Sequence, residues 1–304
     1  MSDAPPPPQF QPRDAVAPGP EDPFAPPPPA PPAPGRAGWP PWLAALAFVT
    51  GFGVTIVAGG FVFVVATAAG VERDAPGIAI GLTIVQNVAL VGAAFFFASI
   101  GRGRVCAADF GLRRAKFWVS VGLIVAVWVG FLLLSAAWAG LVDLDQTQDL
   151  PEELGADGPL LNALAVVILV TVVAPLGEEL FFRGFFFGAL RNWRGPWLAA
   201  IVTGIVFGGI HVGSSPVGYL VPLMIFGAAL CMLYEWTGSL YPAIALHAIN
   251  NSIALGASLE WDWQIPAMMV GSTATALALA WLLARIVGNR ERPPATPAPA
   301  PGGG

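Results

Sequence analysis

The sequence predicts an all-α, polytopic membrane protein with about eight transmembrane helices, and three observations carry that expectation. Of its 304 residues, 56% are hydrophobic and only 11% are charged, whereas soluble domains carry roughly 25% charged residues. The apolar residues gather into eight stretches close to the length a helix needs to cross a bilayer, about 20 residues. More than half of the 31 prolines precede residue 42, so most helix breakers stand outside those stretches. The shortage of charge argues against a large water-soluble enzyme. A formal net charge of −5 with no basic stripe argues against a nucleic-acid partner. Two cysteines, Cys106 and Cys231, make no disulfide framework.

In chain order, residues 1–40 read as a disordered, Pro-rich cytoplasmic tail with nothing apolar to bury. They form no signal peptide, because a short apolar core after a basic start is missing. The expected membrane stretches are 42–70, 78–100, 117–141, 159–190, 197–213, 218–235, 241–258 and 265–287. The first three, with their loops, make an N-terminal part over 41–158. The rest make a core over 159–287, followed by a disordered tail at 288–304. Ala and Gly are frequent in these stretches, and small residues let membrane helices approach closely. Trp39, Trp42, Trp193, Trp197, Trp236, Trp261 and Trp263 fall near stretch ends, where indoles favour the membrane interface. Glu235 also falls at an end and is expected to be solvated.

Orientation follows from the basic residues. The loop 101–116 carries Arg102, Arg104, Arg113, Arg114 and Lys116, which predicts the cytoplasmic side. The loop 142–158 carries Asp143, Asp145, Asp149, Glu152, Glu153 and Asp157 and no cation, which predicts the outer side. Alternation then puts Arg191, Arg194, Arg285, Arg290 and Arg292 inside and Glu260 and Asp262 outside. Both termini face the cytoplasm of a bacterial cell membrane on this reading, and Arg36 agrees.

Ionisable residues inside a membrane stretch are the informative anomaly, since each costs about 2.5–3.5 kcal/mol at mid-helix and usually faces a cavity or a partner. Glu178, Glu179 and Arg183 are embedded in VVAPLGEELFFRGFFFG. Glu179 and Arg183 are four apart and can pair on one helix face. Glu178 is rotated about 100° away, so its carboxylate points elsewhere. Pro175 removes a backbone hydrogen bond one turn earlier and predicts a kink. The two histidines of the chain, His211 and His247, fall in the fifth and seventh stretches, with Asn251 one turn after His247. Singly, each has a bland reading as a helix-to-helix pin; Phe207, one turn before His211, reads as packing. Jointly they point to one site.

A carboxylate with two imidazoles in a secluded cavity suits the activation of water, because a carboxylate in a low dielectric is a better base near neutral pH. An amide NH2 and an imidazole N–H can donate to the oxyanion of an attacked peptide carbonyl. The membrane stretches hold no aspartate pair, and H-E-x-x-H and G-x-S-x-G are absent. These groups should meet around one water-sized cavity. Helix arithmetic gives Glu178 and His211 equal heights above a turn near Gly195. For straight helices it conflicts with a turn directly after His211, so tilting, kinking or a turn dipping into the protein is expected. A proton-coupled transporter and a non-catalytic membrane scaffold or immunity protein use similar residues and stand as alternatives.

The pattern resembles the CPBP intramembrane proteases, the CAAX protease or Abi family that includes the type II CAAX prenyl endopeptidase. Its E-E-x-x-x-R motif corresponds to Glu178, Glu179 and Arg183, its F-x-x-x-H motif to Phe207 and His211, and its H-x-x-x-N motif to His247 and Asn251. The resemblance covers about residues 159–258. It implies an endopeptidase acting on a membrane-associated peptide or protein, CAAX-like or a leader peptide. It implies that Glu178 and His211 activate water, that His247 and Asn251 stabilise the oxyanion, and that Glu179 and Arg183 fix the arrangement. The family's metalloprotease label implies a possible zinc on Glu178, His211 and His247; water activation without a metal is equally compatible.

Overall fold

The computed structural model describes residues 38–102, 104–142, 154–156 and 158–288. The expected tails lie outside these residues, apart from Gly38 to Pro40 and Gly288, and so does most of the acidic loop.

Eight helices run through the described residues: α1 (Pro41–Ala68), α2 (Pro76–Arg102), α3 (Phe117–Ala139), α4 (Leu160–Arg194), α5 (Pro196–Gly209), α6 (Val217–Thr237), α7 (Leu240–Ser258) and α8 (Gln264–Val287). A 3-10 turn, Ala107–Phe110, precedes α3. Among the described residues there is no strand beyond an isolated bridge between Val212 and Ser215. The protein is thus all-helical, as its composition predicts, and six of the eight helices are long and apolar enough to cross a membrane. The exceptions are α5, with 14 residues, and α7, whose histidine, asparagines and serines dilute its hydropathy. At 1.5 Å per residue α5 is about 21 Å long, against about 30 Å of hydrocarbon. The expected stretch to residue 213 is too long: α5 stops at Gly209, and His211 stands in the turn beyond, one of the outcomes the helix arithmetic allowed.

Helix breaks follow local chemistry. Gly195, between α4 and α5, has φ 81°, and Gly238, between α6 and α7, has φ 64°; both positions need the left-handed backbone that glycine adopts without a Cβ penalty. Ser239 caps α7, its side chain accepting from the Tyr241 backbone N–H.

Helix α4 is not uniform. It passes through a π segment at Leu169–Val173, an α segment at Ala174–Glu178, and a second π segment at Glu179–Phe187. Pro175 explains the first. In an α-helix its ring would clash with the carbonyl four residues back, and the wider π winding accommodates it. The predicted kink is thus a local widening of the winding.

Two ends of the bundle can be told apart. At one end the segment before α3 is tied to the helices around it. The Ala107 N–H donates to the Gly288 carbonyl at 3.2 Å, the Leu240 N–H to the Gly111 carbonyl at 2.8 Å, and the Ser239 hydroxyl to the Arg113 carbonyl at 2.6 Å. Trp39 lies at this end, 1% exposed, its indole N–H on the Ala98 carbonyl at 3.2 Å and its ring against Phe110 and Phe185. That corrects its expected place at the interface, since an indole with an internal acceptor and aromatic neighbours need not seek headgroups. Trp42, Trp193, Trp197, Trp236 and Trp263 are exposed. Glu235 is likewise not solvated: it pairs with Arg191 at 3.1 Å, and both are largely buried. At the other end Trp138 donates to the Gly218 carbonyl at 2.8 Å. There Leu154, Ala156, Val166, Leu255 and Met268 form a second apolar cluster.

Candidate functional site

Glu179 is the centre of the buried polar network. Its side chain is fully buried, and one oxygen, Oε1, accepts from Arg183 Nη1 at 2.7 Å and from His247 Nδ1 at 2.7 Å. Because a carboxylate only accepts here, Nδ1 of His247 carries the proton, which turns Nε2 outward. That Nε2 lies 3.7 Å from Oε2 of Glu178. The distance is too long for a direct hydrogen bond and short enough for one water to contact both. The sequence reading had Glu178 point away from Glu179. In the structure the two carboxylates reach the same imidazole, one at each ring nitrogen, with the π winding starting at Glu179.

Arg183 is held from three sides: by Glu179, by the Gly227 carbonyl on α6 at 2.9 Å, and by the Phe207 ring, 4.5 Å below its guanidinium carbon. The last is a cation–π contact in a desolvated setting. Phe207 does more than its reading as packing suggested. Its ring also meets the rings of His247 at 5.8 Å and His211 at 5.0 Å, and its carbonyl accepts from His211 Nδ1 at 2.7 Å. Since a carbonyl cannot donate, Nδ1 of His211 is protonated and Nε2 is left as the acceptor. One phenylalanine therefore sets the tautomer of one histidine and wedges the other.

Asn251 is positioned by α4. Its Nδ2 donates to the Val170 carbonyl at 2.9 Å. That carbonyl is available for a definite reason. The Ala174 N–H is given to Leu169 in π register, and the next residue, Pro175, has no N–H to give. The same proline that forces the π segment leaves Val170 as an acceptor for α7. One hydrogen of the Asn251 amide remains for another partner.

His211 and Asn251 line a cavity of about 270 Å³, with Val170, Ser215, Tyr219, Phe226 and Ser258 among its other walls. The volume corrects the expectation of a water-sized space; it has room for a side chain or a short stretch of peptide. Neither Glu178 nor His247 is among its lining residues. The predicted residues thus form two groups, a buried Glu179–Arg183–His247 network with Glu178 beside it, and the cavity pair His211 and Asn251. Phe207 bridges the groups through both histidine rings.

The expected zinc set fits poorly. Among the described residues no three His, Cys, Asp or Glu side chains lie together as a metal would need. The Nδ1 of His247 is committed to Glu179, which leaves only its Nε2 as a donor to any ion.

Sequence reasoning missed the glycines that let α5 and α6 touch. A Cβ on Gly204 would lie 2.4 Å from the Met224 carbonyl oxygen, and one on Gly208 2.8 Å from that of Leu220. The G-x-x-x-G spacing of this pair was the available signal. Sequence reading also missed Gly227, whose carbonyl holds Arg183, and the buried Thr171–Ser272 hydroxyl pair at 2.6 Å that pins α8 to the π segment. A backbone acceptor leaves no mark in its own residue type.

Comparison with known proteins points the same way. Residues 160–253 match the family described as "Type II CAAX prenyl endopeptidase Rce1-like". A protein of Bacillus subtilis (strain 168), named "Putative membrane peptidase YdiL", is 26% identical over 102 residues, which are 33% of this chain and 41% of that protein. "UPF0177 protein YxdF" of Lactococcus lactis subsp. lactis (strain IL1403) is 26% identical over 83 residues, 27% of this chain and 44% of that one. The chain thus matches less than half the length of either relative. No solved structure gives a significant match.

Proposed function

We propose that this integral membrane protein, whose residues 160–253 match the Rce1-like family, is an intramembrane endopeptidase that uses Glu178 and His211 to activate water. The observation that carries this reading is the pair of glutamates on one imidazole. Glu179 holds Nδ1 of His247 at 2.7 Å, while Glu178 stands 3.7 Å from Nε2. A structural ion pair needs Glu179 and Arg183 alone; it does not require a second carboxylate and a second histidine.

In this reading a water molecule sits between Glu178 and the free Nε2 of His211. Glu178 takes one proton, and the water oxygen forms a bond to the peptide carbonyl carbon while the π electrons move onto the carbonyl oxygen. The remaining N–H of Asn251 donates to that oxyanion, and so does His247 when both of its ring nitrogens carry a proton. Collapse breaks the C–N bond, and the proton on Glu178 passes to the departing nitrogen. Glu179 and Arg183 touch no reacting atom; they hold His247 and Phe207 in place.

The test is cleavage of a membrane-anchored peptide by purified protein in lipid nanodiscs. Glu178→Ala and His211→Ala are each expected to lower the rate by at least about 100-fold, the scale of a lost acid–base group, with unchanged insertion and melting. Undiminished cleavage by the Glu178 variant sinks the mechanism. Solute uptake into proteoliposomes without proteolysis points instead to the transporter.

A further inference from the structure

The cavity does not sit midway between the two ends. Its walls include Leu154 in the segment before α4, Ser215 in the α5–α6 turn, Tyr219 in the first turn of α6, and Ser258, the last residue of α7. All of these belong to the end marked by the Trp138–Gly218 bond and the Leu154 cluster. Helix α7 is asymmetric in the same sense. Residues 242–248 are all buried, whereas Ala254, Ala257 and Ser258 are exposed. Below His247 the bundle is closed by Phe182, Phe185, Phe187 and Tyr234, each essentially inaccessible, and by Phe110 of the segment before α3. A chain entering the site has a route past Ser258 and none through that aromatic floor.

Cations are divided by the same axis. Arg104, Arg114, Lys116, Arg194 and Arg285 lie at the closed end, joined there by the bonds among residues 107, 111, 113, 239, 240 and 288. Arg73, in the α1–α2 turn, is the one described cation at the cavity end, where Asp262 is exposed too. Short loops rich in Lys and Arg stay on the cytoplasmic side.

We infer that the cavity opens to the non-cytoplasmic face of the membrane and takes a polypeptide segment already exported or protruding there, in preference to a cytosolic carboxyl-terminal tail. What enters rests on the endopeptidase reading; the side from which it enters does not.

Full-length protein in intact cells tests this with a membrane-impermeant maleimide, in a Cys106→Ser background with the fully buried Cys231 retained. Ser258→Cys and Asp262→Cys are expected to label in intact cells, and Arg114→Cys only after the membrane is permeabilised. Any other pattern overturns the entry side and leaves the catalytic reading untouched. Two reporters then carry one cleavable segment, exported in the first and retained in the cytosol in the second. Glu178-dependent cutting of the exported reporter alone supports the substrate class, and cutting of the cytosolic reporter refutes it. If labelling is as expected but the wild-type protein cuts no membrane peptide, the endopeptidase reading fails and the entry side stands.

Discussion

At the residue scale, Glu179 and Arg183 present a buried ion pair whose worth lies in what it positions. Desolvating both charges costs several kcal/mol, and such pairs are often no better for stability than apolar residues of the same volume. Removing one partner is different, because it strands the other. Arg183→Met is therefore expected to destabilise the protein by about 3–5 kcal/mol, seen as a lower melting temperature in detergent. The double variant Glu179→Met with Arg183→Met should recover most of that loss yet stay inactive, since His247 then has no acceptor at Nδ1. Recovery of cleavage along with melting would show that the pair merely fills space. Phe207 belongs to the same scale: its motif position was legible in the sequence, but its stacking under Arg183 was not.

At the element scale, α4 departs from α-helical winding where the chemistry lies. Pro175 is disfavoured in a helix interior by about 3 kcal/mol relative to alanine, and here it releases the Val170 carbonyl to Asn251. Pro175→Ala restores an N–H that can compete for that carbonyl. The variant is expected to melt at the same temperature or higher while its turnover falls, by up to about 100-fold if Asn251 moves by an ångström. Melting and cleavage measured on one preparation separate the two effects; a fall in both in proportion would make the proline a packing residue only. The pairing of α5 with α6 at Gly204 and Gly208 acts at this scale too. It brings His211 to the cavity wall by setting how closely a short helix lies against a long one.

At the scale of the whole molecule, the first three helices carry no motif, yet they are built into the site's frame. Helix α3 supplies Phe131 to the cavity and Trp138 to the first turn of α6. Trp39 joins the start of α1, the end of α2, the segment before α3 and the aromatic floor. Trp39→Ala is expected to cost about 3–5 kcal/mol while activity per folded molecule persists, because this residue lies at the closed end, away from the cavity. Thermal unfolding beside cleavage normalised to the folded fraction checks this. Lost activity at full folding would mean that the closed end communicates with the site.

The sequence by itself determined the membrane class, the eight helical stretches, the pairing of Glu179 with Arg183 and the choice of candidate residues. These depend on composition and on separations within one helix, which a linear chain displays directly. Only the tertiary structure decided that both glutamates share His247, that Asn251 takes the Val170 carbonyl, that Glu235 is paired and that the cavity leans to one end. Each of those rests on contacts between residues distant in sequence, or on a backbone carbonyl freed by a neighbour, and such relations exist only once the helices have packed.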